Sequence, residues 1–213
     1  MLIEPPHNCG SCPRLASFRA QWQEKEPTWH NRPVQSFGPL EAEMLIVGLA
    51  PGLRGANATG RPFTGDGAGD TLYPLLLELD LATGRYEGHA QDGLMLNNLR
   101  ITNAVRCVPP ENKPIATETN NCRIYLSNEI KAMRRLKVIL ALGKLAHDNI
   151  FKSLGGKMSE GKFAHGATHS VGPYLVQDSY HCSRYNMNTN RLTLKMFRSV
   201  LAQARDLSRG GTS

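Results

Sequence analysis

The sequence predicts an α/β protein, a three-layer α/β/α sandwich around a four-stranded parallel sheet, on three observations. Four short apolar runs recur along the chain, the intervals between them carry apolar residues at helical spacing, and 213 residues that are 40% apolar suffice for a buried core. The first run, Met44-Leu45-Ile46-Val47-Gly48, is a short continuous strand of the kind buried on both faces. Seven glycines follow between Gly48 and Gly69. A helix is then expected over residues 70–79, with Leu72, Leu75, Leu76 and Leu79 on one face and Asp70 as its N-cap. The second strand is read over 99–105, a helix over 122–136, the third strand over 138–142, a helix over 144–154 and the fourth strand over 174–178. The last helix, over 192–205, turns Leu194, Phe197, Val200 and Leu201 to one side. With no linker to divide it, 1–205 reads as one domain and 206–213 as a disordered tail.

Charge and composition narrow the partners. Lys plus Arg exceed Asp plus Glu by 25 to 18, a formal charge of +7, which favours polyanions such as nucleic acid or phosphorylated ligands. No apolar run approaches the roughly 18 residues a membrane span needs, and the opening Met1-Leu2-Ile3-Glu4-Pro5-Pro6 lacks the basic and apolar regions of a signal peptide. The expectation is a cytoplasmic protein with no membrane partner. In that reducing setting five cysteines argue for metal ligation over a disulfide framework. Cys9 and Cys12 form a C-x-x-C in a Pro-rich opening expected to be irregular; Cys107 and Cys122 follow with fourteen residues between them, and Cys182 stands apart. Spacing alone does not choose between zinc and iron–sulfur, although Cys107 and Cys122 do not make the second knuckle of a zinc ribbon.

In open α/β sheets the ligand crevice lies beyond the carboxyl ends of the strands, so the residues after each run are where chemistry is expected. The glycine stretch ahead of a helix suggests an anion such as phosphate, with a flexible loop as the competing account, but neither G-x-x-x-x-G-K-[ST] nor G-x-G-x-x-G is present. Asp66 sits among those glycines, where its carboxylate can face a pocket. Phe63, in so polar a loop, offers a stacking face for a flat base, and Asn103 offers a donor pair and an acceptor in one plane. His181 opens a His-x-Ser-x-x-Asn stretch at the crevice edge, whose Arg184 is placed to meet a phosphate. Neither Ser183 nor Cys182 has a base partner at a recognisable spacing, and Lys144 reads as a surface residue at a helix start, so no covalent nucleophile is expected.

Together, Gly48-Leu49-Ala50-Pro51-Gly52, Gly60 to Gly69, the stretch from Thr102 to Pro110 and His181-Cys182-Ser183-Arg184-Tyr185-Asn186 resemble the motifs of the uracil-DNA glycosylase superfamily, in its iron–sulfur branch called family 5 or UDGb. The resemblance runs from Cys9 to about Arg205. It implies a [4Fe–4S] cluster on Cys9, Cys12, Cys107 and Cys122, and monofunctional hydrolysis of the N-glycosidic bond of deaminated bases in single- and double-stranded DNA by a monomer. By the same resemblance Gly48, Ala50, Phe63, Asn103 and His181 bind the flipped base, and Asp66, Asn103 and His181 are the catalytic residues. Two departures stand out. Leu49 and Ala50 replace the acidic residue other branches carry in the first motif, which turns attention to Asp66 and suggests a base range reaching hypoxanthine and xanthine. Cys182 stands where the family usually has proline, which questions the stiffness of the His181 loop. A cluster-bearing DNA-binding module, a nucleotide-phosphate enzyme and an electron-transfer protein are the rival readings.

Overall fold

The computed structural model describes residues 2–210. In chain order the elements are α1 (Pro13–Lys25), β1 (Met44–Gly48), α2 (Ala56–Thr59), α3 (Gly67–Glu78), the short pair β2 (Ala82–Thr83) and β3 (Met95–Leu96), β4 (Leu99–Asn103), α4 (Ala116–Ala132), β5 (Val138–Leu142), α5 (Lys144–Leu154), β6 (Thr168–Val171), β7 (Tyr174–Ser179), α6 (Arg184–Asn188) and α7 (Leu194–Ser208). The main sheet has the order β4-β1-β5-β7-β6. Its first four strands are parallel and are the four expected from the apolar runs; β6 adds a fifth, antiparallel to β7. The edge strand was not expected because Thr168-His169-Ser170-Val171 is polar and partly exposed, without the continuous apolar character of a strand buried on both faces.

Successive strand residues face opposite sides of a sheet, so each buried strand feeds two cores. Met44, Ile46, Val138 and Leu140 pack with Leu72 and Leu76 of α3 and Phe197 and Leu201 of α7. Leu45, Val47, Ile139 and Ala141 pack with Leu126 and Ile130 of α4 and Ile150 and Phe151 of α5. At ~1.5–3 kcal/mol for each fully buried aliphatic or Phe side chain, these two layers are the main favourable term in holding the sheet in register.

Helix starts follow their caps, and several differ from the sequence expectation. α3 begins at Gly67 because Asp66, not Asp70, is the N-cap; Asp70 is an exposed residue of the first turn. α4 begins at Ala116, six residues early, where the Glu118 carboxylate accepts from the Ile115 amide at 2.9 Å. α7 begins after Thr193, whose hydroxyl accepts from the Met196 amide at 3.2 Å, and it runs on to Ser208. Residues 206–208 of the expected tail are therefore the last turn of a helix, while 211–213 lie outside the described residues. The opening segment is not irregular throughout: Pro13, at the first helical position, starts α1, where its fixed φ and missing N–H are tolerated. That segment is tied to the sheet by buried charge. Glu129 of α4 meets Arg100 and Arg106 at 2.6 Å each, and Glu4 reaches Arg106 at 3.2 Å. Among the described residues no helix is long and apolar enough to cross a membrane.

Candidate active site

The carboxyl ends of β1, β4 and β7 open into a cleft of about 560 Å³. Asn103 is the last residue of β4 and lies in register beside Gly48, the last of β1. A Cβ on residue 48 would overlap both Asn103 Oδ1 and the Phe63 ring, so glycine there lets the amide and the aromatic face meet over the end of β1. Gly48 is thus a floor beneath those two side chains and does not itself line the cleft; Ala50 does.

Phe63 has φ +52°, an uncommon conformation for a side-chain-bearing residue that costs of order 1–3 kcal/mol and persists only when its surroundings enforce it. The enforcing groups are visible. Tyr73 Oη donates to the Pro62 carbonyl at 2.6 Å, and Arg61 Nε donates to Thr64 Oγ1 at 2.8 Å. Arg61 also grips Asp92 with two bonds of 2.7 Å and lies over the rings of Phe37, Tyr73 and Tyr86. Hydrogen bonds from that guanidinium, outweighing burial, hold the Asp92 carboxyl well below the usual carboxylate range. Sequence reasoning did not find this clamp, because Arg61 and Asp92 are thirty-one positions apart and carry no shared motif.

Asp66 has a double role. Oδ1 accepts from the amides of Ala68 and Gly69 at 3.1 Å each, capping α3, while the carboxylate still lines the cleft. Its Oδ2 lies against Gly52 and Gly55, and a Cβ at residue 55 would overlap it. The N-terminus of α3 is therefore occupied by the protein's own carboxylate, which corrects the expectation of a phosphate seat there. Across the cleft, His181 lies 6.0 Å from Phe63 between ring centroids, at an interplanar angle of 28°. Its carbonyl accepts from Asn186 Nδ2 at 2.8 Å. Burial pushes the imidazole below the ordinary histidine value, with Asp66 acting in the opposite direction. Cys182, where proline was expected, is fully buried and its Sγ–H points at the Ala68 carbonyl, 3.6 Å away, so the His181 loop is pinned to the turn that carries Asp66.

The remaining expected residues are also at this rim. Ser183 caps α6 by accepting from the Asn186 amide at 3.4 Å, which leaves its own hydroxyl proton free. Arg184 is exposed and lies over Gly67. Sequence reasoning missed Arg54 and Asn112, which also line the cleft. Asn112 follows Glu111 in a turn where both have positive φ, +57° and +55°; the run Pro109-Pro110-Glu111-Asn112 is turn chemistry that signals such a feature. Among the described residues lining the cleft there is no lysine, and Lys144 is paired with Asp148 at 2.7 Å on the surface.

A second, narrow cavity is lined by Cys9, Cys12, Cys107 and Cys122 together with Leu15, Asn121 and Tyr125. Burial pushes the Cys107 thiol up to about 12 and the Cys122 thiol up to about 11. Donors surround the sulfurs: the Arg106 amide reaches Cys122 Sγ at 3.3 Å and Asn121 Nδ2 reaches Cys12 Sγ at 3.7 Å. Four thiols around one narrow cavity, with N–H donors directed at their sulfurs, are a donor set that fits a thiolate-held metal centre, either zinc or iron–sulfur.

The chain matches the family model described as the uracil DNA glycosylase superfamily over residues 35–205. It is 41% identical over 208 residues to a type-5 uracil-DNA glycosylase of Thermus thermophilus, covering 94% of each chain. To the type-5 enzyme of Pyrobaculum aerophilum it is 39% identical over 201 residues, 92% of this chain and 88% of that one. A type-4 uracil-DNA glycosylase of Saccharolobus solfataricus is 31% identical over 177 residues, 78% of this chain and 74% of the other. With its sheet, its cleft and these matches in agreement, the chain belongs to the uracil-DNA glycosylase superfamily.

Proposed function

We propose that this protein removes uracil from DNA by hydrolysing the N-glycosidic bond, and that its base range extends to hypoxanthine and xanthine. The observation that carries the reading is the meeting of Phe63, Asn103, His181 and Asp66 in one cleft at the sheet's carboxyl rim. Such an enzyme must first extrude the nucleotide, which costs a few kcal/mol; stacking on Phe63 returns ~1–3 kcal/mol of that. The Asn103 amide then hydrogen-bonds the base edge. As the glycosidic bond breaks, negative charge gathers on the base and positive charge on the deoxyribose. A neutral His181, whose acidity its burial already favours leaving in that form, donates to the base carbonyl oxygen, and Asp66 Oδ2 faces the sugar and orients the attacking water. Both contacts strengthen as charge develops, which is what lowers a barrier. The water's oxygen bonds to the anomeric carbon, the electron pair of the old bond leaves with the base, the proton lost by the water passes by way of Asp66 and solvent to the departed base, and no enzyme-bound intermediate or lyase step is involved.

Leu49 and Ala50 bring no charge to the cleft wall, which supports the wider base range. Arg54, Arg184 and Ser183 are the rim groups assigned to DNA phosphates, on single or double strands, by a monomer. Cys9, Cys12, Cys107 and Cys122 would hold a [4Fe–4S] cluster, which would supply a covalent cross-link between the segment preceding α1, the segment after β4 and α4. The test is incubation of the purified protein with labelled duplexes carrying uracil, hypoxanthine, xanthine or a thymine mispair, followed by alkaline cleavage of abasic sites. Cleavage at uracil is expected, with slower cleavage at hypoxanthine and xanthine. Absence of abasic sites from every duplex would overturn the reading.

A further inference from the structure

Away from the cleft, His147 of α5, His169 of β6 and Asp178 of β7 bring their ligand atoms within 4.8 Å of one another. His147 and Asp178 are fully buried, and the His169 side chain is 13% exposed at the sheet edge. None of the three lines the cleft. His147 Nε2 lies 3.1 Å from the Gly161 carbonyl, which can only accept, so that nitrogen carries a proton. In a neutral imidazole the other nitrogen is then a bare lone pair, yet Nδ1 lies 2.7 Å from Asp178 Oδ1. Two lone pairs do not approach so closely unless a positive centre sits between them. The second carboxylate oxygen repeats the arrangement, 3.0 Å from His169 Nε2.

Two centres satisfy that geometry: a proton shared between Nδ1 and the carboxylate, or a metal ion. A ligating histidine characteristically gives its second N–H to a backbone carbonyl or carboxylate, which fixes the ring and its tautomer. His147 has that bond already, and Phe151 stacked at 4.3 Å and Phe163 edge-on at 5.7 Å hold the ring in place. We propose that His147 Nδ1, His169 Nε2 and the Asp178 carboxylate form a binding site for one divalent cation of the zinc class, with its remaining position open toward solvent beside β6. Two imidazoles and a carboxylate suit such an ion. Ligand atoms around an ion with bonds of ~2.0–2.2 Å lie roughly 3.4 Å apart, so the two N···O contacts would open from 2.7 and 3.0 Å to admit it. Binding releases the proton shared by His147 Nδ1 and Asp178 to water and moves the His169 proton from Nε2 to Nδ1, so that both ring atoms enter as neutral donors. The ion would fasten β6 and α5 to the end of β7, three residues before His181, and so stiffen the root of the His181 loop.

The site is tested on the intact protein with its thiol-bound centre retained, kept free of oxygen and chelator and titrated with Zn²⁺. One equivalent is expected to bind, with zinc-edge X-ray absorption showing only nitrogen and oxygen neighbours. His169→Ala, at the partly exposed edge, is expected to weaken binding more than about 100-fold, beyond the loss usual for outer-shell changes, while the helix content of the zinc-free protein stays as in the parent. Asp178→Asn gives the same loss if it folds. A sulfur shell near 2.3 Å, no uptake, or uptake indifferent to His169→Ala would overturn the proposal and leave the proton as the centre between His147 and Asp178.

Discussion

The cleft and the four-thiol cavity stand back to back, with Ala50 lining one and packing against the residues of the other, but they are assembled by different means. Each cleft residue is delivered by an element that forms without a ligand. Asn103 is fixed by the β1–β4 register, Phe63 by the Arg61 and Tyr73 clamp, Asp66 by its own helix cap and His181 by Asn186. The thiols come from the N-terminal segment, the stretch after β4 and the middle of α4, and two are buried where an unliganded sulfur stays protonated. A rigid sheet prepares the cleft in advance; the thiol cavity gathers distant segments and gains most when something joins them. Damage to the cavity should therefore lower stability, and damage to the cleft should lower turnover with stability kept.

The largest effect that sharpens this contrast is expected from Cys122→Ser. Binding energy of a resident metal centre is folding energy, of order 10 kcal/mol for small structural sites, so if the proposed cluster is held there the substitution should abolish its visible absorption and lower the thermal midpoint steeply, by scanning calorimetry. A variant that keeps its midpoint would remove the distinction between the two regions. Next in size is Asp66→Asn. Asparagine caps a helix about as well as aspartate, so stability should hold, while the loss of charge beside the sugar should slow excision ~100-fold or more with DNA affinity little altered in a gel-shift assay. Equal losses of turnover and melting temperature would mean that Asp66 only caps.

A smaller effect is expected with pH. Because burial depresses the affinity of His181 for a proton, the native state binds fewer protons than the unfolded chain between the depressed value and the ordinary value of about 6.5. Stability contributed by the neutral ring is therefore full above that ordinary value and declines as pH falls below it. Excision should be level above neutrality and fall on the acid side, and a His181→Gln enzyme measured by single-turnover kinetics should be slower and lack that acid limb. The smallest change is expected from Arg184→Ala, which should weaken DNA binding uniformly across sequences and reduce the salt slope by about 1; an unchanged slope would place Arg184 off the phosphate path.

Much of this was legible in the sequence. β1 and β5 announce themselves because strands buried on both faces are apolar throughout, as Val138-Ile139-Leu140-Ala141-Leu142 is, while β4 and β7 show shorter apolar stretches that give way to buried polar residues at their carboxyl ends. The cleft residues are legible for a related reason: a parallel sheet sends its carboxyl ends to one rim. What was not legible depends on pairing at a distance. The choice of Asp66 over Asp70 as cap turns on which carboxylate meets the amides of Ala68 and Gly69, and both aspartates precede the apolar face. The early start of α4 rests on Glu118, which also pairs with Arg14 of α1 at 2.7 Å. β6 was hidden by polar residues, and the same His169 that masks the strand joins the buried histidine–aspartate group.

The divided carboxylate of Asp66 bears on how lesions are sorted. With one oxygen fastened to a helix and the other facing bare glycine backbone, the acid has no swing. It cannot lean toward an awkwardly seated nucleotide, so every candidate must carry its own anomeric carbon to a stationary point. Under the proposed function, lesions whose bases sit too high or too deep on the Phe63 ring should therefore be bound but cut more slowly, a split between affinity and turnover that single-turnover kinetics would read.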